Sequence, residues 1–386
     1  MNREVWLDFL RVTACFMVMV VHSTEPFYLG GEGALILTPT DGYWVAVFEA
    51  LCRCCVPLFL IASSYLQFPL HYTTGEFFKR RAVRVLVPMA LWTLVYALVW
   101  GQPVANLKGL LLNFNYAAGH LWFVYMLVGV YLIMPLLSPW AEKVSRRELE
   151  VYLGIWLLTT LIPFVREAAG GVAPLIQAAD GLPAPALFPL WGEASWNPFG
   201  TFYYVSGFIG FLLVGLYLRR FLVSSRWTRL LGWTLFLLGF LAMVSGLLSR
   251  FSDTTPDGSF PLSGDLAVAV AWETPITFCG LPVVLSAVGL MLVFREARFR
   301  EESWLYRYLV LPLSKAGYGM YLMHMLVLAQ FSGLFRSWLG VGAAGVLGAW
   351  TTPVQILATA LCSFVAVGLA SVLLQRIPRL GKYVTG

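Results

Sequence analysis

Leu7-Asp8-Phe9-Leu10-Arg11-Val12-Thr13-Ala14-Cys15-Phe16-Met17-Val18-Met19-Val20-Val21-His22 is an apolar stretch with three ionisable side chains set into it. The run from Trp6 to Val21 falls slightly short of the ~17–25 residues that a membrane helix normally uses. A charge inside such a helix costs about 2.5–3.5 kcal/mol on insertion scales and normally faces a bundle interior or a wet cavity. Asp8, Arg11 and His22 therefore call for further helices around this one. At ~100° per residue, the step from Arg11 to His22 is three turns plus about 20°, so both project from one face, about 16 Å apart. Asp8, three residues before Arg11, joins that face and can pair with the guanidinium. The acid and base interrupt any signal-peptide pattern and no small-residue cleavage site follows, so a retained first helix is expected.

The rest of the chain agrees. Its 386 residues are 59% apolar and only 12% charged, against roughly 25% charged in soluble domains, and its mean hydropathy is +0.76. That composition excludes an ordinary soluble protein. Apolar runs of spanning length lie at Trp6–Val21, Trp44–Phe68, Ala82–Trp100, Leu121–Trp140, Val151–Val165, Thr201–Leu218, Leu230–Leu248, Pro275–Phe294, Leu309–Phe331 and Pro353–Leu374. The net charge of +6 would suggest nucleic acid in a soluble protein, but here it must be sorted by loop. With the N-terminus inside, 20 Lys and Arg fall on the cytoplasmic side, in the clusters 79–84, 143–147, 219–229, 295–315 and 376–382 and at Arg3. Only 4 (Lys108, Arg166, Arg250 and Arg336) lie opposite. The expectation is an all-α integral membrane bundle of about ten helices with both termini cytoplasmic. Residues 1–386 form a single transmembrane domain without an internal repeat or an appended soluble domain. No nucleic-acid partner is expected, membrane lipid is, and the oligomeric state is not legible.

The long loops fall outside: Thr24–Tyr43, Gly101–His120, Arg166–Gly200 and Ser249–Thr274. The third is apolar, carries Trp191 and Trp196, and is expected to fold back over the bundle. The Gly-rich stretch Leu339–Trp350 is too short to span, and either extends the last helix or lies in the interface. All six cysteines fall in apolar runs, which argues for packing over a disulfide framework, and Cys52-Arg53-Cys54-Cys55 lacks the second Cys or His pair of a metal site.

Several residues stand out beyond the first helix. Arg53 is a second buried cation whose near neighbour in sequence is Glu49, at intrahelical pairing distance. His120, Trp122 and Tyr125 open the fourth helix from outside, where an aromatic belt alone would explain the Trp and Tyr. His324 lies well inside the ninth helix and needs a partner, whereas His71 sits in a basic loop and is expected to be exposed. Glu25, three residues after His22, can orient the imidazole or stand in solvent. On the functional reading, one face of the first helix lines a path across the membrane, with a fixed cation near the cytoplasmic end and His22 as general base near the outer end. On the bland reading, Asp8 and Arg11 form an interfacial pair and His22 is a boundary residue.

Arg and His separated by ten residues in the first helix resemble the signature of the membrane-bound acyltransferase-3 family, in particular its surface-polysaccharide and enterobacterial-common-antigen O-acetyltransferase branch. The same resemblance is carried by Arg53-Cys-Cys-Val-Pro-Leu-Phe-Leu-Ile-Ala-Ser-Ser-Tyr-Leu, Phe78-Lys-Arg-Arg-Ala-Val-Arg-Val-Leu-Val-Pro, His120-Leu-Trp-Phe-Val-Tyr, Gly207-Phe-Ile-Gly-Phe-Leu-Leu-Val-Gly-Leu-Tyr-Leu and Gly317-Tyr-Gly-Met-Tyr-Leu-Met-His. One departure is the pair Ser63-Ser64, where the family usually has Ser-Gly and closer helix packing.

The resemblance implies transfer of an acyl group, usually acetyl, from cytoplasmic acetyl-CoA to a hydroxyl of a surface glycan or lipid-linked saccharide, in a bacterial cytoplasmic membrane. Acyl-CoA is then a donor substrate, with no tightly bound cofactor and no metal. Its phosphates need a basic site outside hydrocarbon, which Arg80, Arg81 and Arg84 beside Lys79 would supply; Arg81 and Arg84, three apart, share a helical face. Arg11 would steady the pantetheine arm or thioester and His22 would deprotonate the acceptor hydroxyl. Two other classes remain open: a proton-coupled secondary transporter of a sugar or lipid, with Asp8, Arg11 and His22 as a relay, and a non-catalytic polysaccharide-export partner with the same fold.

Overall fold

A computed structural model describes residues 4–30, 33–110, 113, 118–170, 197, 199–254, 257–378 and 381–386. Most of the 166–200 loop, including Trp191 and Trp196, lies outside the described residues, as do Arg3 and Arg379.

The first helix, α1 (Val5–Thr24), ends where Pro26 lacks the N–H needed for another turn, and the chain leaves through the 3-10 turn Glu25–Phe27. Two short strands follow, β1 (Leu29–Gly30) and β2 (Gly33–Ile36). With β3 (Leu262–Gly264) they form an antiparallel sheet in which Leu29 faces Ala34 and Leu35 faces Ser263. The loops 24–43 and 249–274, expected on one side of the membrane, are thus joined at one end of the bundle.

The predicted helix Trp44–Phe68 is two helices, α2 (Pro39–Cys52) and α3 (Cys55–Gln67), broken at Arg53-Cys54. The reason is local: Pro57 has no N–H to give the Arg53 carbonyl, and its ring crowds that same oxygen. A milder form of this defect occurs twice more. Between α4 (Thr74–Arg81) and α5 (Val87–Val99), residues Ala82–Leu86 widen into a π turn four residues before Pro88 can clash with the Arg84 carbonyl. Tyr306–Val310 do the same ahead of Pro312, which stands in the first turn of the long helix near the C-terminal end of the chain.

The remaining helices are α6 (Pro103–Gly109), α7 (Trp122–Lys143), α8 (Arg146–Thr159), α9 (Ile162–Gly170), α10 (Ile209–Arg220), α11 (Arg226–Thr254), α12 (Leu266–Trp272), α13 (Leu281–Arg295), α14 (Leu311–Leu339), α15 (Thr351–Gln375) and α16 (Gly381–Val384). Among the described residues, 9 helical segments are long and apolar enough to cross a membrane. The expected tenth, Thr201–Leu218, differs. Residues Gly200–Val205 form a 3-10 helix, Gly207 takes φ +73, and α10 has only 12 residues, or about 18 Å against a hydrocarbon core of ~30 Å. Leu339–Trp350 extends the last helix only through its final turn, since Gly348–Trp350 runs directly into α15 to give a span of Gly348–Gln375. It forms two short turns beside the start of α2, where the Trp44 indole donates to the Ala349 carbonyl at 3.2 Å.

Helix α1 sits centrally, packed by α2, α3, α13, α14 and α15. Close helix approach elsewhere depends on small residues, as expected where lipid supplies no hydrophobic drive between helices. A Cβ on Gly215 of α10 would lie 2.6 Å from the Ser64 Cβ and 2.7 Å from the Ile61 carbonyl oxygen, so the facing helix supplies the glycine that the Ser63-Ser64 pair lacks. The Ser64 hydroxyl uses this proximity to donate to the Leu212 carbonyl at 2.6 Å. Gly232 and Gly239 of α11 likewise lie on the backbone of α13: a Cβ at Gly232 would meet the Gly289 carbonyl at 2.9 Å, and one at Gly239 would overlap the Pro282 carbonyl and the Ser286 hydroxyl.

Gly239→Leu should lower the melting temperature of the detergent-purified protein by the equivalent of about 1–3 kcal/mol or more, because the backbone it meets cannot yield. Gly129→Leu, where a Cβ meets nothing within 4 Å, should melt like the wild type, and equal melting of both variants would refute the packing argument.

Candidate functional site

Three helical positions, Arg11, Val18 and His22, lie on one face of α1, and all three line cavities. Arg11 and Val18 border an inner cavity of about 220 Å³ with Val56, Phe59, Ser63, Phe123, Lys315, Tyr318 and Tyr321. Val18, Val21 and His22 border an outer cavity of about 540 Å³ with Glu25, Arg53, His120, Trp122, Phe278 and Glu273. The two share Val18, Val56, Phe123 and Tyr321. A second outer cavity of about 560 Å³ meets the first at His22, Glu25, His120 and Trp122 and extends to Trp100, Asn106 and Met325. His22 therefore stands where the two outer cavities meet, and the first of these adjoins the inner one through Val18, Val56, Phe123 and Tyr321.

Its orientation is fixed by Glu25, whose Oε1 lies 2.7 Å from the imidazole Nδ1. A carboxylate only accepts, so Nδ1 carries a proton, and in the neutral imidazole this leaves the Nε2 lone pair free, which is the form a general base needs. Two more imidazoles pack around it. His324 is fully buried on α14, with its ring centroid 4.9 Å from that of His22 and its Nδ1 2.5 Å from the Tyr321 carbonyl. His120, in the turn before α7, has its ring 5.2 Å from that of His324 and 4.6 Å from that of Tyr96. The Nε2 atoms of His120 and His324 are buried and meet no hydrogen-bond partner among the described residues.

The wall opposite is built on Arg53, at the break that Pro57 creates. Its Nε donates to the Ile276 carbonyl at 3.1 Å, one terminal nitrogen to Glu49 at 3.2 Å, and the other to Glu273 at 3.2 Å, while the Phe278 ring lies 4.6 Å beneath it. The Glu49 pair is the i,i+4 partnership that the sequence suggested. Glu49, itself fully buried, also accepts from Thr24, and the Tyr28 hydroxyl donates to Glu273 at 2.7 Å. Burial, reinforced by the charges of Glu49 and Glu273, pushes the Tyr28 phenol well up, so it stays a donor.

At the other end of α1, Asp8 accepts from Tyr306 at 2.9 Å and from Ser314 at 2.6 Å, which anchors α1 to the start of α14. Arg81 lies 4.8 Å from the Tyr131 ring and 5.3 Å from that of Phe77, and its buried Nε has no hydrogen-bond partner among the described residues. Arg11 and Arg81 both lie within electrostatic range of Tyr131. Arg80 and Arg84 are exposed, with Arg80 over the Tyr72 ring at 4.2 Å. Tyr125 is exposed and His71 is too, and neither lines the three cavities.

Residues 4–373 match the model of the family described as an acyltransferase domain. The chain belongs to the acyltransferase-3 family. No curated protein and no solved structure matches it. The family assignment makes this a membrane acyltransferase, and the convergent cavities around His22 are its candidate active site. Sequence reasoning missed Glu273, Phe278 and Tyr321 as parts of that candidate site. Tyr321 stood in a quoted motif, and Glu273 is an acid directly ahead of a predicted helix, but nothing in the sequence links residue 273 to residue 53.

Arg53→Ala in this acyltransferase should cost about 3–5 kcal/mol, since it leaves the buried Glu49 without its counter-charge. Thermal unfolding of the purified variants would check this, and Arg53→Ala melting within a degree of wild type would rule the clasp out as a structural element.

Proposed function

We propose that the protein transfers an acyl group, most simply acetyl, from cytoplasmic acyl-CoA to a hydroxyl of a surface glycan or lipid-linked saccharide at the outer face of a bacterial cytoplasmic membrane. The observation that carries this is the run of adjoining cavities along one face of α1, from Arg11 to the Glu25-oriented imidazole of His22. Family membership favours this chemistry over a proton-coupled carrier, and the resemblance favours the polysaccharide-modifying branch.

Orientation follows from the distribution of Lys and Arg, which assigns the Arg11 end to the cytoplasm. There the donor phosphates meet Arg81, with its unpartnered Nε, and the exposed Arg80 and Arg84, while the slim pantetheine arm passes Arg11 into the inner cavity. At the outer end, His22 Nε2 takes the proton of the acceptor hydroxyl as its oxygen attacks the thioester carbonyl carbon. The tetrahedral species collapses with cleavage of the C–S bond, and the imidazolium returns the proton to the sulfur, giving ester and free CoA thiol. Glu25 holds the imidazole in its productive tautomer and stabilises the imidazolium.

His22→Ala should leave a folded, inserted protein without transfer activity, and near-wild-type acylation of surface glycans in cells carrying it would refute the base. Glu25→Ala should lower kcat at least tenfold with little change in donor affinity.

Alanine at Arg80, Arg81 and Arg84 together should weaken acyl-CoA binding to the purified protein, and added salt should weaken the wild type in the same direction. Unchanged donor affinity would return those residues to a purely topological role. Sealed vesicles with the cytoplasmic face outward should acylate a lumenal saccharide when acyl-CoA is supplied only outside. A requirement for lumenal acyl-CoA would overturn the transmembrane route.

A further inference from the structure

The outer cavity has a wall that the transfer chemistry leaves unused. Trp122 and Phe278 form an inclined pair with centroids 5.2 Å apart and 33° between their planes, and both line the space that His22 opens into. Glu273 borders the same space and retains 36% side-chain exposure although it holds Arg53 and Tyr28. A carboxylate has about four lone-pair sites, of which these contacts occupy two. Arg53 divides its charge between Glu273 and Glu49, so what Glu273 offers a ligand is hydrogen-bond acceptance, which suits hydroxyl donors and disfavours anionic groups. His120 Nε2, buried and unpartnered among the described residues, belongs to a ring that lines both outer cavities. Thr274 and Thr277 complete the polar lining.

Flat aromatic faces beside carboxylate acceptors suit a molecule with an apolar C–H face and a rim of hydroxyls. A volume of about 540 Å³ falls within the ~300–1,000 Å³ of small-ligand sites. We infer that this wall is the acceptor subsite and that its ligand is a neutral pyranose, stacked by its C–H face on Trp122 and Phe278, with ring hydroxyls donating to Glu273 and to His120 Nε2. This rests on the proposed transfer reaction and deepens it. A pyranose in that position turns one hydroxyl toward His22, whereas a lipid chain would strip water from the remaining acceptor sites of Glu273 and leave His120 Nε2 unsatisfied, at the usual penalty for buried polar groups.

Saturation-transfer NMR on the full-length protein in nanodiscs, with methyl glucopyranoside, methyl galactopyranoside and methyl N-acetylglucosaminide as probes, tests the inference. At least one probe should bind, with saturation strongest on the protons of one ring face, and tetradecyl phosphocholine should not displace it. Trp122→Ala and Glu273→Gln should each weaken that binding at least tenfold while acyl-CoA affinity stays at the wild-type value, and Trp122→Phe should restore most of it. Binding lost together with donor affinity would mark these residues as structural and overturn the subsite, as would the absence of binding by all three probes to a protein that still turns over acyl-CoA. Pyranoside binding that obeys this pattern in a protein without transferase activity would instead sustain the subsite and remove the reaction it was joined to.

Discussion

A guanidinium taken out of water must meet its counter-charges at contact distance, and Arg53 meets two carboxylates, a backbone carbonyl and an aromatic face at once. The partners come from distant parts of the chain. Glu49 belongs to the same helical segment, but Glu273 and Ile276 arrive after more than half the molecule has intervened, so satisfying one cation draws the stretch from Glu273 to Phe278 against α2. Thr24 and Tyr28 join through Glu49 and Glu273, which fixes the end of α1 to the same centre. The position of His22 relative to its cavity is thereby a by-product of charge compensation. Replacement by a well-packed apolar cluster could be equally stable, but it would not leave a polar wall facing the imidazole.

The two ends of α1 are held by different chemistry. Near Asp8 the bonds are to hydroxyls of Tyr306 and Ser314, whereas near His22 they are to carboxylates. Arg11 and Arg81 stand with Asp8 at one end, and Glu25, Glu49 and Glu273 stand around His22 and Arg53 at the other. Tyr321 stands between, lining both cavities while its hydroxyl donates to the His120 carbonyl at 2.6 Å.

Much of this was legible in the sequence. Apolar runs gave nearly all the membrane-crossing segments because lipid imposes one composition on every span. The helical period placed Arg11 and His22 on one face, and the short spacings gave the Glu25 and Glu49 contacts, because partners within one helical turn need no tertiary information. What stayed hidden was long-range or conditional. Pro57 was visible, but a proline inside an apolar run can bend, break or be absorbed, and here it breaks. Thr201–Leu218 has the composition of a span, yet Gly207 divides it, since a glycine's freedom to take positive φ is a permission and not an instruction. Glu273 could not be assigned because pairing across loops depends on the fold itself. His120 and His324 were marked individually, while their convergence on His22 required the relative rotation of three helices.

Glycines 232, 239 and 246 of α11 recur every seven residues, the last with its missing side chain filled by Pro275 at 2.7 Å. Seven residues are two turns less about 20°, so a stripe of this period follows a partner only if the helices coil gently about each other with left-handed twist. Such a stripe works as a toothed rail. Sliding by one residue would set Leu or Phe side chains where backbone now touches backbone, so α11 and α13 have a single engaged register. The last tooth seats the proline two residues beyond Glu273, which means that the distance from the lipid-facing length of α11 to the Arg53 centre is set in whole heptads. An insertion or deletion of one residue between Gly232 and Gly246 would therefore be felt as a mis-indexed wall of the candidate site, far from where the change was made.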